Sequence, residues 1–188
     1  MIINYLTTNE LKFKIAQQFF SSLGDYELVQ HSFSVPEIQD TSCEKIACES
    51  ALMAAKELGE PCIAMDAGFF IEALNGFPGP FVKYVNEYLS EKQILSMLTA
   101  DDSRSAYFLD ALAVGFPDGT YKVFSHKTVG RLAGDGEYVS TEWPVNSLFI
   151  PKGFSALLGS MSKLQQEEFW YSENQSWQTL IEFLSKKP

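Results

Sequence analysis

The spacing of hydrophobic residues predicts that strands and helices alternate in the first half of the chain. Residues 2–7 form an apolar run with β-branched members, which is typical of a strand. Leu11, Ile15 and Phe19 then follow at helical spacing, so we expect the first strand to lead directly into a helix. The junction between the two falls at residues 7–10.

The later part of the chain has longer segments. The further predicted elements are a strand near Tyr26–Phe33, a helix that starts at Thr41–Glu44 and stops at Gly59, a strand at 61–65 that ends on Asp66–Gly68, a loop at 75–80, a helix at 81–98, two long strands at 104–116 and 121–132, and a C-terminal helix around Trp177–Leu184. This order indicates an α/β protein with a mixed sheet and helices packed on it. Residues 1–188 are predicted to form a single domain, because no repeat or linker interrupts them.

The charge balance narrows the possible partners. The 188 residues include 24 acidic residues against 14 Lys and Arg, which gives a formal net charge of −10. Proteins that bind polymeric nucleic acid carry clustered cations, so we expect no such partner. No apolar stretch approaches the roughly 20 residues of a spanning helix, so no membrane partner is expected either. Three cysteines without C-x-x-C spacing favour a reducing, cytoplasmic environment.

Two acidic residues stand at predicted strand ends, where ligands collect in α/β sheets. Asp66 closes an apolar strand shortly before Gly68, and Glu37 follows Pro36 after the second strand. Carboxylates in such positions suit a hard cation such as Mg²⁺, which takes oxygen ligands and bridges to phosphates. Read from position alone, the simpler alternative is that Asp66 caps its own turn and Glu37 is solvated.

A second candidate lies at the first junction. Thr7, Thr8 and Asn9 precede the first helix, and Lys12 lies one turn into it. Hydroxyl and amide groups, the unpaired N–H groups of a helix start and one lysine together suit a phosphate. The alternative is an ordinary N-cap by Thr8 or Asn9 with Lys12 exposed, because the segment lacks the glycines of a P-loop.

A longer motif changes this balance. Asp66–Phe69 and Ala73–Pro80, with the run Asn-Gly-Phe-Pro-Gly, resemble the signature of the inosine/xanthosine triphosphate pyrophosphatase family, which hydrolyses non-standard purine nucleoside triphosphates. Supporting matches to the family lie at 7–12, Pro36–Gln39, Ser105–Phe108 and Phe149–Gly153. The resemblance therefore extends over most of the chain.

The resemblance implies an elongated, twisted mixed sheet with a central nucleotide cleft, in a homodimer that binds Mg²⁺ and a triphosphate. Glu37 and Asp66 would bind the metal, and Asp66 would also position or deprotonate the attacking water. Asn9 and Lys12 would hold the phosphates. Water would then separate a nucleoside monophosphate from pyrophosphate, which is chemistry that depends on positioning and charge neutralisation.

Several family positions are changed in this chain. Thr8 replaces the glycine of the phosphate loop, Met65 replaces the acid before Asp66, and Ser50 replaces a lysine of the second helix. Thr8 adds a side chain where the backbone should approach phosphate closely. The phosphate half of the site is therefore expected to be only partly kept.

The base half is changed further. The purine-reading F-G-[YW]-D-P motif falls on Trp143–Ser147, and the K-N-x-x-S-H-R motif falls on Phe169–Gln175. Trp143, Asn146 and Asn174 are the remaining candidates for a base pocket. The lost lysines and the lost arginine remove charged partners that a phosphate group would otherwise have.

The sequence therefore predicts a Mg²⁺-dependent nucleoside triphosphate pyrophosphatase with an altered base pocket and a small nucleotide as its ligand. One alternative is a diverged nucleotide-binding or regulatory homologue with little or no turnover. The other is a hydrolase of a different phosphorylated metabolite.

Overall fold

The chain folds into a mixed sheet with helices, described by a computed structural model for residues 1–33 and 35–186. The strands are β1 (Ile2–Leu6), β2 (Glu27–His31), β3 (Cys62–Ile71), β4 (Pro78–Gly79), β5 (Ser105–Gly115), β6 (Tyr121–Leu132) and β7 (Phe149–Pro151). The helices are α1 (Glu10–Phe20), α2 (Cys43–Leu58), α3 (Val82–Tyr88), α4 (Glu91–Ser96), α5 (Pro144–Leu148), α6 (Lys163–Glu173) and α7 (Gln175–Ser185). The strand order is β2-β1-β3-β5-β6-β7, with β4 paired to β3 outside this path. β1 is parallel to β2 and β3, whereas β4 is antiparallel to β3 and β7 to β6, so the predicted α/β class is confirmed.

The chain divides into two compact units. The first comprises Met1–Asp66, Asp110–His126 and the segment from Phe169 onward, and the second comprises Ala67–Leu109 and Lys127–Glu168. The single domain that the sequence predicts stays a prediction. Within the described residues, no helix has both the length and the apolar character needed to cross a membrane.

In the first unit, α1 and α7 cover one face of the sheet and α2 covers the other. Tyr5 and Leu112 point toward α1 and α7, where they share a core with Trp177, which is only 1% exposed. The ring centroids of Tyr5 and Trp177 lie 5.3 Å apart in an edge contact. Leu6 and Cys62 pack against α2 on the opposite side. Neighbouring residues of one strand therefore serve two different helical layers, as strand alternation requires.

Helix α2 begins one residue later than the predicted capping box. Its N-cap is Ser42, whose side chain accepts a hydrogen bond from the Lys45 backbone N–H at 3.3 Å. Glu44 accepts a hydrogen bond from the Ser42 hydroxyl at 3.0 Å, so it does not close a box with Thr41. Gly59 ends the helix in the left-handed conformation at φ +69°, as its position predicts.

The second unit has an aromatic core on a strand that is longer than predicted. The rings of Phe69, Phe108 and Phe149 lie with centroids 4.7 to 5.6 Å apart. β3 passes its predicted end and continues to Ile71, because β4 (Pro78–Gly79) folds back and pairs with it. The segment 75–80, which was predicted to be a loop, thus contains β4 as well as a turn.

The predicted helix over 81–98 is two helices, and this prediction is corrected. Ser90 interrupts it, since its side chain and that of Gln93 exchange hydrogen bonds with each other's backbone in a capping box that starts α4. Helices α5 and α6 were not predicted from the sequence. Neither segment has a clear helical spacing of apolar residues, because α5 has only five residues and because Phe169 is the one buried residue of α6.

Candidate functional site

The junction between β1 and α1 is a tightly bonded loop at the predicted place. The Thr7 hydroxyl accepts a hydrogen bond from the Asn9 backbone N–H at 3.2 Å. The Asn9 side chain accepts one from the Lys12 backbone N–H at 3.1 Å and is the N-cap of α1. Thr8 and Asn9 are exposed, whereas Thr7 and Lys12 are half-buried. The loop thus presents hydroxyl and amide groups at a positive helix end, which suits an anion.

Lys12 lies on the face of α1 that packs against the sheet. Ala16 and Phe19 follow it at positions i+4 and i+7 of α1, and both are buried in the core of the first unit. Residues at these spacings share one face of a helix, so Lys12 begins on the face that packs on the strands. Of the simpler alternative, the N-cap by Asn9 is confirmed, whereas Lys12 is half-buried rather than exposed.

Asp66 lies within β3 rather than at its end. Its carboxylate accepts a hydrogen bond from the Cys43 thiol of α2. Burial raises the pKa of the Cys43 thiol above its ordinary value, and the charge and hydrogen bond of Asp66 raise it further. The thiol therefore stays protonated and serves as a neutral donor that fixes one side of the Asp66 carboxylate.

Asp110 of β5 is an acid that the sequence reading missed. It is only 4% exposed, and the Asn174 side-chain amide donates a hydrogen bond to it at 3.2 Å. The Ser176 hydroxyl donates in turn to the Asn174 carbonyl oxygen. Burial raises the pKa of Asp110 to about 6, while the positive charge of Lys12 opposes the rise and the negative charge of Asp66 adds to it.

Tyr5 interacts both with Thr7 of the β1–α1 loop and with Asp110. Its hydroxyl lies 3.7 Å from the Met65 sulfur. Burial raises the pKa of Tyr5, the charge of Asp110 raises it further, and a hydrogen bond with Thr7 lowers it. Met65 therefore contacts the hydroxyl whose pKa the charge of Asp110 raises.

The remaining predicted metal ligand, Glu37, lies in irregular structure. It is exposed, between β2 and α2. Among the described residues, no group of three or more His, Cys, Asp or Glu side chains is arranged to hold a metal. Mg²⁺ needs only one or two carboxylates when substrate phosphates and water complete its shell. The oxygen chemistry of Asp66 therefore fits such a metal bound together with a phosphorylated ligand.

The three base-pocket candidates have different surroundings. Trp143 and Asn146 belong to the second unit, where Trp143 is the 48% exposed N-cap residue of α5 and its carbonyl accepts the Asn146 backbone N–H at 2.9 Å. Asn174 belongs to the first unit and is 3% exposed. Its side-chain amide is engaged with Asp110 and Ser176.

One signal in the sequence could have located Asp110. It is the single charged residue in the eleven-residue strand β5, which is otherwise apolar apart from Ser105 and Tyr107. An isolated acid in a strand that is buried on both faces needs a partner or a function. Its partner Asn174 lies 64 positions away, which no local pattern indicates.

The chain is an α/β protein with a mixed sheet, in which a loop suited to an anion and two carboxylates belong to the same unit. A model of the Ham1 family matches residues 3–172. The chain therefore belongs to the Ham1 family.

Relatives and solved structures agree with this family. The dITP/XTP pyrophosphatase of Methanopyrus kandleri is 35% identical over 155 residues, which cover 81% of this chain and 80% of the relative. The dITP/XTP pyrophosphatase of Methanothermobacter marburgensis is 31% identical and covers 93% of this chain and 98% of its own. The Ham1 protein of Staphylococcus aureus has a TM-score of 0.79 at 26% identity, with 98% of each chain covered. A HAM1 protein from Coxiella burnetii has a TM-score of 0.81 at 23% identity over the full length of both chains, which shows the shared fold.

Proposed function

We infer that this chain is a nucleoside triphosphate pyrophosphatase, which releases pyrophosphate and leaves a nucleoside monophosphate. The observation that carries the proposal is the β1–α1 loop, which presents hydrogen-bonded Thr7 and Asn9 at a helix start, in the same unit as the Asp66 carboxylate that the Cys43 thiol orients. A cation, carboxylates and a helix start in one place are the parts that phosphoryl chemistry uses. Membership of a family whose relatives bear the name dITP/XTP pyrophosphatase supports the same reaction.

We assign the roles by motif and chemistry. Asn9 and Lys12 would hold the phosphate groups, with Thr7 and Thr8 beside them. Asp66, oriented by the Cys43 thiol, would align the attacking water and accept its proton.

A divalent metal belongs to this proposal. Asp66 and Glu37 are its proposed carboxylate ligands, and Mg²⁺ would supply positive charge to the phosphate oxygens. Asp66 is half-buried and hydrogen-bonded on one side, whereas Glu37 is exposed. Glu37 would therefore have to lose more side-chain freedom than Asp66 when the metal binds.

The substrate base, the assembly and the location stay proposals as well. Trp143 and Asn146 are the proposed base-contacting residues, whereas the side chain of Asn174 is already bound to Asp110 and Ser176. The homodimer can be checked by light scattering. The cytoplasmic location can be checked by cell fractionation.

The test is a pyrophosphate-release screen with Mg²⁺. Inosine, xanthosine and deoxyinosine triphosphates are compared with the four standard ribonucleoside triphosphates, for the wild type, Asp66→Asn and the exposed control Asp25→Asn. Loss of the catalytic carboxylate is expected to lower kcat/KM by about 100-fold or more, in line with the usual contribution of acid–base catalysis. Inactivity of the wild type on every triphosphate, or activity that is indifferent to Asp66→Asn, would contradict the proposal.

A second candidate function is nucleotide binding without turnover. The family lysines fall on Ser50 and Phe169, which are 8% and 4% exposed. Phe169 packs against Trp170 with ring centroids 5.0 Å apart, so an apolar contact stands where a cation is expected. A thermal shift with nucleotide and Mg²⁺, without pyrophosphate release, would favour this function. A thermal shift with a different phosphorylated metabolite, accompanied by phosphate release, would favour the third possibility from the sequence.

A further inference from the structure

Asp110 lies on the sheet face that α1 and α7 cover. Leu112 and Val114 follow it at positions i+2 and i+4 of β5, and both belong to the core that contains Trp177. Residues two apart on a strand share one face. Asp110 is therefore on the side of the sheet that Lys12 faces from α1, and the attraction between their charges agrees with this placement.

The carboxylate of Asp110 is held in a fixed position. Asp110, Asn174 and Ser176 are 4%, 3% and 1% exposed, and they form a chain of side-chain hydrogen bonds. Asn174 stands at the N-cap position of α7 but its side chain makes no capping bond there. Its amide is used for Asp110, so the C-terminal helix anchors an acid opposite the phosphate loop.

This acid changes what Lys12 can do. The positive charge of Lys12 stabilises the Asp110 carboxylate, and the charge of Asp66 acts against it. A phosphate group that approaches Lys12 would therefore also meet the field of a buried anion on the same face of the sheet. Repulsion between Asp110 and the phosphates is weakly screened at this depth, because water is largely excluded there.

We propose that Asp110 is a specificity-determining residue, whose buried and anchored negative charge makes the site reject a bare polyphosphate and accept one complexed with a divalent metal. The inference rests on the proposed function, because it assumes that phosphates bind at Lys12. Metal binding reduces the negative charge of a polyphosphate, so the repulsion from Asp110 decreases for the complex. Discrimination then arises from a repulsive group as well as from the attractive ones.

The test measures binding of inorganic triphosphate by calorimetry, once in EDTA and once with excess Mg²⁺. The proteins are the wild type, Asp110→Asn, Asp110→Glu and the exposed control Asp25→Asn, each checked for folding by circular dichroism. For an assumed separation of about 10 Å and an effective dielectric constant of about 20, removing one buried charge is expected to tighten metal-free binding about tenfold. Asp110→Glu keeps the charge, so it and the control should bind as the wild type does.

The ratio of the two affinities decides the question. Asp110→Asn is expected to bind bare triphosphate more tightly while its affinity for the Mg²⁺ complex changes less, so the preference for the complex falls. Unchanged or weaker metal-free binding by Asp110→Asn overturns the inference. Selective loss of the Mg²⁺ complex also overturns it, because Asp110 would then contact the metal.

Failure of the proposed function gives a different result. If the wild type binds triphosphate but releases no pyrophosphate from any nucleotide, the proposed hydrolase function is contradicted. The role of Asp110 is then decided by the binding data alone. If neither the wild type nor Asp110→Asn binds triphosphate in either buffer, the inference is wrong. If pyrophosphate release is normal and Asp110→Asn prefers the Mg²⁺ complex over bare triphosphate as the wild type does, the protein is a hydrolase but Asp110 does not set this preference.

Discussion

Replacing Asp110 by asparagine should make the protein more stable at neutral pH. The pKa of this acid is about 6 in the folded chain against an ordinary value of 3.8, mainly because of burial. The folded state therefore holds the proton more tightly than the unfolded state, so stability falls as pH rises from about 4 to about 6. At pH values above both pKa values, this difference in pKa lowers the free energy of unfolding by about 3 kcal/mol. An amide of the same shape stays neutral at every pH and avoids this cost.

The assay is urea unfolding of the wild type and Asp110→Asn at pH 5 and pH 8 in EDTA, followed by tryptophan fluorescence. We expect the variant to exceed the wild type by up to about 3 kcal/mol at pH 8, and by clearly less at pH 5. The exposed control Asp25→Asn should differ from the wild type by no more than about 0.5 kcal/mol at either pH. A variant that is less stable than the wild type at pH 8, or a difference that does not change with pH, would refute the reasoning.

Two further substitutions test the packing and the capping. A Cβ at Gly115 would lie 2.7 Å from the Ala51 backbone carbon, so Gly115→Ala should lower the free energy of unfolding by about 2 kcal/mol or more. Gly24 has open space around it, so the control Gly24→Ala should not lower this free energy. Urea unfolding of both variants measures the difference. Ser42→Ala removes the N-cap of α2 and should lower the free energy of unfolding by about 1 kcal/mol in the same measurement. The exposed Ser155→Ala serves as its control, and an equal loss in both would contradict the capping role.

The parts of the fold that depend on local signals were predictable. Residues 2–7 and the helical spacing of Leu11, Ile15 and Phe19 identify β1 and α1, and the structure confirms both. The predicted end of β3 was wrong because Asp66–Gly68 has the composition of a turn, although the partner strand β4 keeps this segment extended. Ser90 divided the helix predicted over 81–98, since a capping side chain competes with helix continuation.

Residues of the candidate site could be predicted from the sequence only where they belong to a contiguous motif. Asp66 and Lys12 lie in segments that resemble motifs of the family, and the charges of both act on the pKa of Asp110. The neighbours Cys43 and Asn174 were not predicted as partners of these acids. Their contacts join residues that are far apart in the sequence, and the spacing of apolar residues says which face a side chain occupies but not what lies opposite.

The direction of the charge changes favours a site that is altered rather than abandoned. Ser50 and Phe169 are uncharged where the sequence resemblance predicts lysines, and Asp110 is a buried acid on the sheet face that α1 covers. A carboxylate that costs stability at neutral pH and is nevertheless fixed by Asn174 and Ser176 is typical of a functional group. Loss of function alone would account for uncharged residues at these two positions, but it gives no reason to bury Asp110 and to anchor it through Asn174 and Ser176.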